Sequence, residues 1–80
     1  MRAKIHVTLK NGVLDPQGKA VHHALNDLGF AEVRDVSVGK YLELELDGAS
    51  GQEAEDRVRE MCERLLANTV IESYRFELEP

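Results

Sequence analysis

Three stretches of the chain alternate apolar and polar residues with a period of two, and this constrains the fold more than any other feature. In AKIHVTL, Ala3, Ile5, Val7 and Leu9 alternate with Lys4, His6 and Thr8. In YLELEL, Leu42, Leu44 and Leu46 alternate with Glu43 and Glu45, and in ESYRFEL, Tyr74, Phe76 and Leu78 alternate with Ser73, Arg75 and Glu77. Successive side chains of a strand point to opposite faces, so each stretch predicts a strand buried on one side only. A sheet with one apolar face needs another layer to cover it.

Two helical patterns can supply that layer. Val21, Ala24, Leu25 and Leu28 recur at helical spacing, which predicts a helix over about 16–28 with Gly29 as its terminator. Asp15 precedes it as a cap whose carboxylate can accept from the amides of Gln17 or Gly18, and Pro16 at the first helical position forfeits no needed donor. The second pattern opens on SGQE, a capping box of Ser50 and Glu53. Its apolar stripe is Ala54, Val58, Met61, Cys62 and Leu65, and Asn68 can end it in a left-handed conformation. Leu65 and Leu66 are adjacent, so only one faces the core squarely: either Leu66 plugs the end of the sheet or it is an exposed apolar contact.

Between the helices, VRDVSVGKYLELEL predicts a hairpin around Gly39-Lys40. A strict two-residue turn would set Val38 opposite Tyr41 and Val36 opposite Glu43, placing apolar and polar residues on one face. One extra residue pairs Val38 with Leu42 and Val36 with Leu44, so a bulge or a three-residue loop is expected there. The resulting order is βαββαβ. It predicts an α+β, ferredoxin-like domain over 1–80, with a four-stranded antiparallel sheet and two helices on one face. The other face carries Lys4, His6 and Thr8 beside Glu43 and Glu45, whose opposite charges can pair across neighbouring strands.

Size and charge narrow the function. A chain of 80 residues buries only ~60–65% of its unfolded surface, so its core is thin and oligomerisation or docking is the usual remedy. Cys62 is the single cysteine, which excludes an internal disulfide and fits a reducing cytoplasm. No apolar run suggests a signal peptide or approaches the ~20 residues of a membrane span, so a soluble protein is expected. The net charge of −5 disfavours unspecific contact with nucleic acid or anionic lipid.

Several residues invite a chemical reading and favour a plainer one. Gly18 in the first turn of a helix costs up to ~1 kcal/mol relative to alanine, which implies close backbone approach, here ascribed to another chain. His22 and His23 point about 100° apart and cannot share a metal, and His6 is distant in sequence, so no metal site is expected. Cys62, in an apolar stripe and followed by Glu63, reads as an inert buried thiol. Lys40 follows a glycine but lacks the glycine spacing of a phosphate loop. Glu43 and Glu45, without a cleft, read as a charged sheet surface rather than an acid/base pair.

An RNA-binding module of this topology would show basic residues and stacking aromatics on its central strands, and a metal chaperone would show a cysteine pair in its first loop. Neither pattern is present in the sequence. A ligand-sensing dimeric regulatory domain of ferredoxin-like fold stays as the alternative, because its site would be mostly backbone.

The residues DPQG (15–18), VGK (38–40) and LLANTVIESY (65–74) appear in one order along the chain. With NGVLDPQGKAV after the first strand, they make the whole sequence resemble the PurS family, the small subunits of phosphoribosylformylglycinamidine (FGAM) synthase. The family usually carries Asn-Pro where this chain has Asn68-Thr69, and Thr69 can still begin a strand. The resemblance implies a non-catalytic accessory subunit of a cytoplasmic, glutamine-dependent and ATP-consuming ligase of purine biosynthesis, converting FGAR, glutamine and ATP to FGAM, glutamate, ADP and phosphate. It implies two partners, a large synthetase subunit (PurL-type) that uses ATP and magnesium, and a glutaminase subunit (PurQ-type) that releases ammonia through a cysteine nucleophile. It also implies a homodimer, with dimer and tetramer left open, that bridges the two and assists ammonia transfer. No catalytic residue, cofactor or metal is expected in this chain. The expected partner contacts are the Asp15–Pro16–Gly18 turn, the Gly39-Lys40 loop, and Leu66, Asn68 and Glu72.

Overall fold

The computed structural model describes residues 1–48 and 51–80. The elements run β1 (Arg2–Leu9), α1 (Pro16–Asp27), β2 (Lys40–Glu45), α2 (Gly51–Met61), a π-helical turn (Cys62–Leu66) and β3 (Glu72–Glu79). Among the described residues the sheet has three antiparallel strands in the order β2-β1-β3.

The alternation sets the register. Ile5 stands opposite Leu42 on one side and Phe76 on the other, and Ala3 stands between Leu44 and Leu78. One face is therefore apolar except at one end, where Lys40 stands opposite Val7 and Glu72 opposite Leu9, and Ala3, Ile5 and Val7 of the central strand are buried there with Val58, Cys62 and Ala67. Ala54 is buried as well. On the opposite face Arg2 reaches Glu45 at 2.9 Å and Glu43 at 3.9 Å, and Lys4 reaches Glu79 at 2.6 Å. Lys4 thus pairs with the last strand rather than with Glu43 or Glu45.

Four expectations need correction. The predicted hairpin does not form: residues 33–39 run without a strand partner, and β2 pairs only with β1. Val38 therefore does not face Leu42, because its amide is taken by the carboxylate of Asp15 at 2.9 Å. This also removes the fourth strand of the expected sheet. The second correction concerns α1, whose only buried residue is Gly18; the core is built by the sheet, α2 and the π turn, so two helices do not share its apolar face. Third, no residue other than glycine has a positive φ among the described residues, so Asn68 is not left-handed. The helical stretch ends instead at Ala67, which is extended at φ −126°. Fourth, Thr69 lies in the turn preceding β3 rather than opening a strand, since β3 begins at Glu72.

The π turn decides between the two leucines. The amide of Ala67 bonds the carbonyl of Cys62, five residues back, at 3.0 Å, so the last turn holds one residue more than an α-helical turn. That extra residue rotates Leu66 and Ala67 towards the core and leaves Leu65 82% exposed. The Ser50 half of the predicted capping box lies outside the described residues.

The molecule is long for its size. Its radius of gyration is 16.1 Å and its extents are 50 × 25 × 14 Å, whereas a compact chain of this length would have a radius of gyration of roughly 12 Å. The length reflects α1 standing away from the sheet.

Candidate functional site

The first turn of α1 is built around one carboxylate. Asp15 Oδ1 accepts the amide of Gly18 at 2.8 Å, capping the helix as its position predicts, and Oδ2 accepts the amide of Val38 at 2.9 Å. These amides, Val38 foremost, hold the Asp15 carboxyl below the usual carboxylate range. With both oxygens engaged, Asp15 is a structural clamp rather than a free base.

Two glycines let the 33–39 segment pass. A Cβ on Gly18 would lie 2.3 Å from the carbonyl oxygen of Val36, and one on Gly39 would lie 2.5 Å from that of Val7. The close approach that Gly18 implies is thus supplied by the chain's own backbone. Farther along α1, His22 Nε2 lies 2.9 Å from the carbonyl oxygen of Val33 and ties the other end of the same segment.

This clamp brings distant predicted residues to one corner. Asp15, Pro16, Gly39, Lys40 and Glu72 line one open cavity of about 430 Å³, whose apolar wall includes Val7, Leu9 and Leu14. Gly18 is buried beside it. Asn68 belongs to the same corner through Glu72: its carbonyl accepts the amides of Ile71 at 3.0 Å and Glu72 at 2.7 Å, and its own amide donates to Glu72 Oε1 at 2.6 Å. Its side-chain Oδ1 accepts the amide of Val70 at 3.2 Å. These bonds use the amides of residues 68, 70, 71 and 72, so the turn does not need the amide of residue 69, and threonine serves where the family usually has proline. The carbonyl of Thr69 receives Lys10 Nζ at 2.7 Å.

Leu66 lies elsewhere. It lines an apolar groove of about 310 Å³ with Leu44, Met61 and Leu65, edged by Arg57, Glu60 and Arg64. The sequence reading missed Leu65, Arg57 and the exposed apolar residues of the α1 arm, Leu14, Val21, Leu28 and Phe30. Val21 and Leu28, seven residues apart, were the available signal on α1, but helical spacing assigned both to an expected core. Exposed apolar patches of this kind mark interaction surfaces.

The other candidates have local partners. Cys62 is fully buried, and burial, with the Glu63 charge, pushes its thiol up. The His6 ring lies 4.8 Å from that of Tyr41, whose hydroxyl donates to Glu43 at 2.9 Å. Among the described residues no group of three or more His, Cys, Asp or Glu is placed to hold a metal. No helix there is long and apolar enough to cross a membrane. The arrangement offers contact surfaces, a polar corner and an apolar groove, joined through the sheet.

Comparisons with known proteins agree in one direction. The family model PurS, phosphoribosylformylglycinamidine (FGAM) synthase, matches residues 2–80. The phosphoribosylformylglycinamidine synthase subunit PurS of Bacillus subtilis is 54% identical over 78 residues, covering 98% of this chain and 92% of its own. The solved structure of B. subtilis PurS in a C2 crystal form superposes with a TM-score of 0.89 at 53% identity, over 99% of this chain and 98% of that one. A chain of the structure of PurLQS from Thermotoga maritima superposes with a TM-score of 0.85 at 29% identity, over 95% and 93%. These likenesses favour the accessory-subunit reading over the regulatory-domain alternative, and the chain belongs to the PurS family of phosphoribosylformylglycinamidine synthase subunits.

Proposed function

We propose that this chain is the non-catalytic accessory subunit of a cytoplasmic FGAM synthase, a single domain that bridges a PurL-type synthetase and a PurQ-type glutaminase and assists ammonia transfer between them. The synthetase supplies ATP and magnesium chemistry, the glutaminase supplies ammonia, and this chain supplies surfaces. The observation that carries the reading is likeness along nearly the whole chain, including to a chain of PurLQS. The corner formed by Asp15, Pro16, Gly18, Gly39, Lys40, Asn68 and Glu72 is the proposed contact with the larger subunits, since its polar rim and apolar wall suit a non-obligate interface.

The working form is a homodimer. An elongated chain with an exposed apolar arm and an unpaired extended segment gains buried area from a second copy. In that dimer residues 33–38 add along the open edge of a partner's β2, completing the four-stranded, two-helix ferredoxin-like layer that a single copy leaves unfinished.

Reconstitution tests the function. Omitting this chain from a mixture of the synthetase and glutaminase subunits is expected to abolish FGAM formation from glutamine while free ammonia still supports it. An unchanged glutamine-dependent rate would refute the proposal.

A further inference from the structure

The outward face of the sheet is sorted by charge along its length. Direct pairing puts Arg2 between Glu45 and Glu79, and Lys4 between Glu43 and Glu77. In this half of the face the cations are engaged, Arg2 with Glu45 and Glu43, and Lys4 with Glu79. The other half differs. His6 stands between Tyr41 and Arg75, and Thr8 stands opposite Ser73, so these two rows hold no carboxylate. Just beyond the end of β1, Lys10 adds a cation, its Nζ 2.7 Å from the Thr69 carbonyl oxygen. In a chain of net charge −5, this end of the sheet is a local reversal of sign.

Its donors are short of partners. The Arg75 ion pair with Glu77 is 3.8 Å long, beyond hydrogen-bond reach, which leaves the guanidinium fork open. The Thr8 and Ser73 hydroxyls and the His6 ring nitrogens make no hydrogen bond among the described residues. The Tyr41 hydroxyl is turned away to Glu43, and its ring flanks His6 at 4.8 Å. His6, Thr8, Ser73 and Arg75 line one open cavity of about 130 Å³ with Tyr74. Directly opposed residues hold their Cβ atoms roughly 5 Å apart, so donors from two strands converge there.

We infer that this end of the outward face binds a phosphate dianion, either free or as the terminal group of a small phosphate monoester. Arg75 takes two oxygens with its fork, the Thr8 and Ser73 hydroxyls donate to the others, and the His6 ring N–H is a further donor. A planar carboxylate has two oxygens and would leave the hydroxyl pair unused. The site lies on the opposite face of the sheet from the corner and the groove.

NMR of the full isotope-labelled chain tests the site. The chain is titrated with inorganic phosphate or with ribose 5-phosphate, at constant pH and against sodium chloride of matched ionic strength. Saturable shifts centred on His6, Thr8, Ser73 and Arg75 are the expected result. Saturation by inorganic phosphate assigns the free anion, and saturation by ribose 5-phosphate alone assigns the monoester. Arg75→Gln, at an exposed position, is expected to weaken binding about tenfold or more, the loss of a bidentate charge-assisted pair. Thr8→Val with Ser73→Ala keeps that charge and is also expected to weaken binding, whereas Arg64→Gln on the groove rim should leave it unchanged. Saturation by neither ligand, shifts spread over cations elsewhere, or undiminished binding in Arg75→Gln or in the hydroxyl variant overturns the site.

Discussion

Replacing Gly18 with alanine separates two physical effects of opposite sign. In an ordinary helix the change adds about 1 kcal/mol, because alanine loses less backbone freedom than glycine. Here the new Cβ would sit 2.3 Å from the Val36 carbonyl oxygen and 2.8 Å from Asp15 Oδ2, against ordinary contact at 3.4–4 Å. Val36 must retreat by about 1 Å, and the neighbouring bond from Val38 to Asp15 cannot follow unchanged. Overpacking of this kind costs roughly 1–3 kcal/mol, and a disrupted hydrogen bond costs about 1 kcal/mol more. After the helix gain, the net loss is about 2 kcal/mol, or roughly 8–16 °C in Tm for a domain of this size. Thermal unfolding followed by circular dichroism at a fixed protein concentration reads the effect, the fixed concentration removing any mass-action contribution from association. Ala24→Gly on the exposed side of α1 serves as the propensity control and should lose about 1 kcal/mol. If Gly18→Ala melts at or above the parent temperature, the close approach of Val36 does not exist in solution and the clamp argument fails.

Two pH effects follow from the surroundings of Asp15 and Tyr74. The Asp15 carboxyl is held low in the fold by the Val38 and Gly18 amides, so its charged form favours folding. That contribution is complete above the unfolded carboxyl value of about 3.9 and is lost as pH falls through the lower folded value. Stability of the parent chain should therefore drop more on acidification through this range than that of Asp15→Asn, measured by urea unfolding at successive pH values; parallel curves would contradict it. With the Glu63 carboxylate nearby and its own partial desolvation, the Tyr74 hydroxyl is pushed up to about 12. Its neutral form favours folding below the unfolded value near 10, and that contribution is lost as pH rises through about 12. Ultraviolet titration should find one late tyrosine that returns towards 10 in Glu63→Gln, and an unmoved titration would exclude Glu63 as the cause.

Much of the corner was legible before the structure, because its parts are local signals. Asp15 three residues before the Gly18 amide is a cap in any context, and Gly18 in a helical first turn announces a close neighbour. The convergence of Asp15, Gly39, Lys40 and Glu72 on one cavity was not legible, since it depends on contacts between residues far apart in the chain. The groove was missed for a related reason. Helical periodicity puts Leu65 on the buried stripe, and only the five-residue bond from Ala67 to Cys62 reverses that.

The sequence by itself determined which face of each strand is buried, where α1 begins, and that so short a chain has a thin core. These follow from side-chain alternation, from a carboxylate beside unpaired amides, and from the ratio of surface to volume. The tertiary structure decided where residues 33–39 go, which of Leu65 and Leu66 faces outwards, and whether α1 covers the sheet. Each outcome depended on groups that approach one another only once the chain has folded.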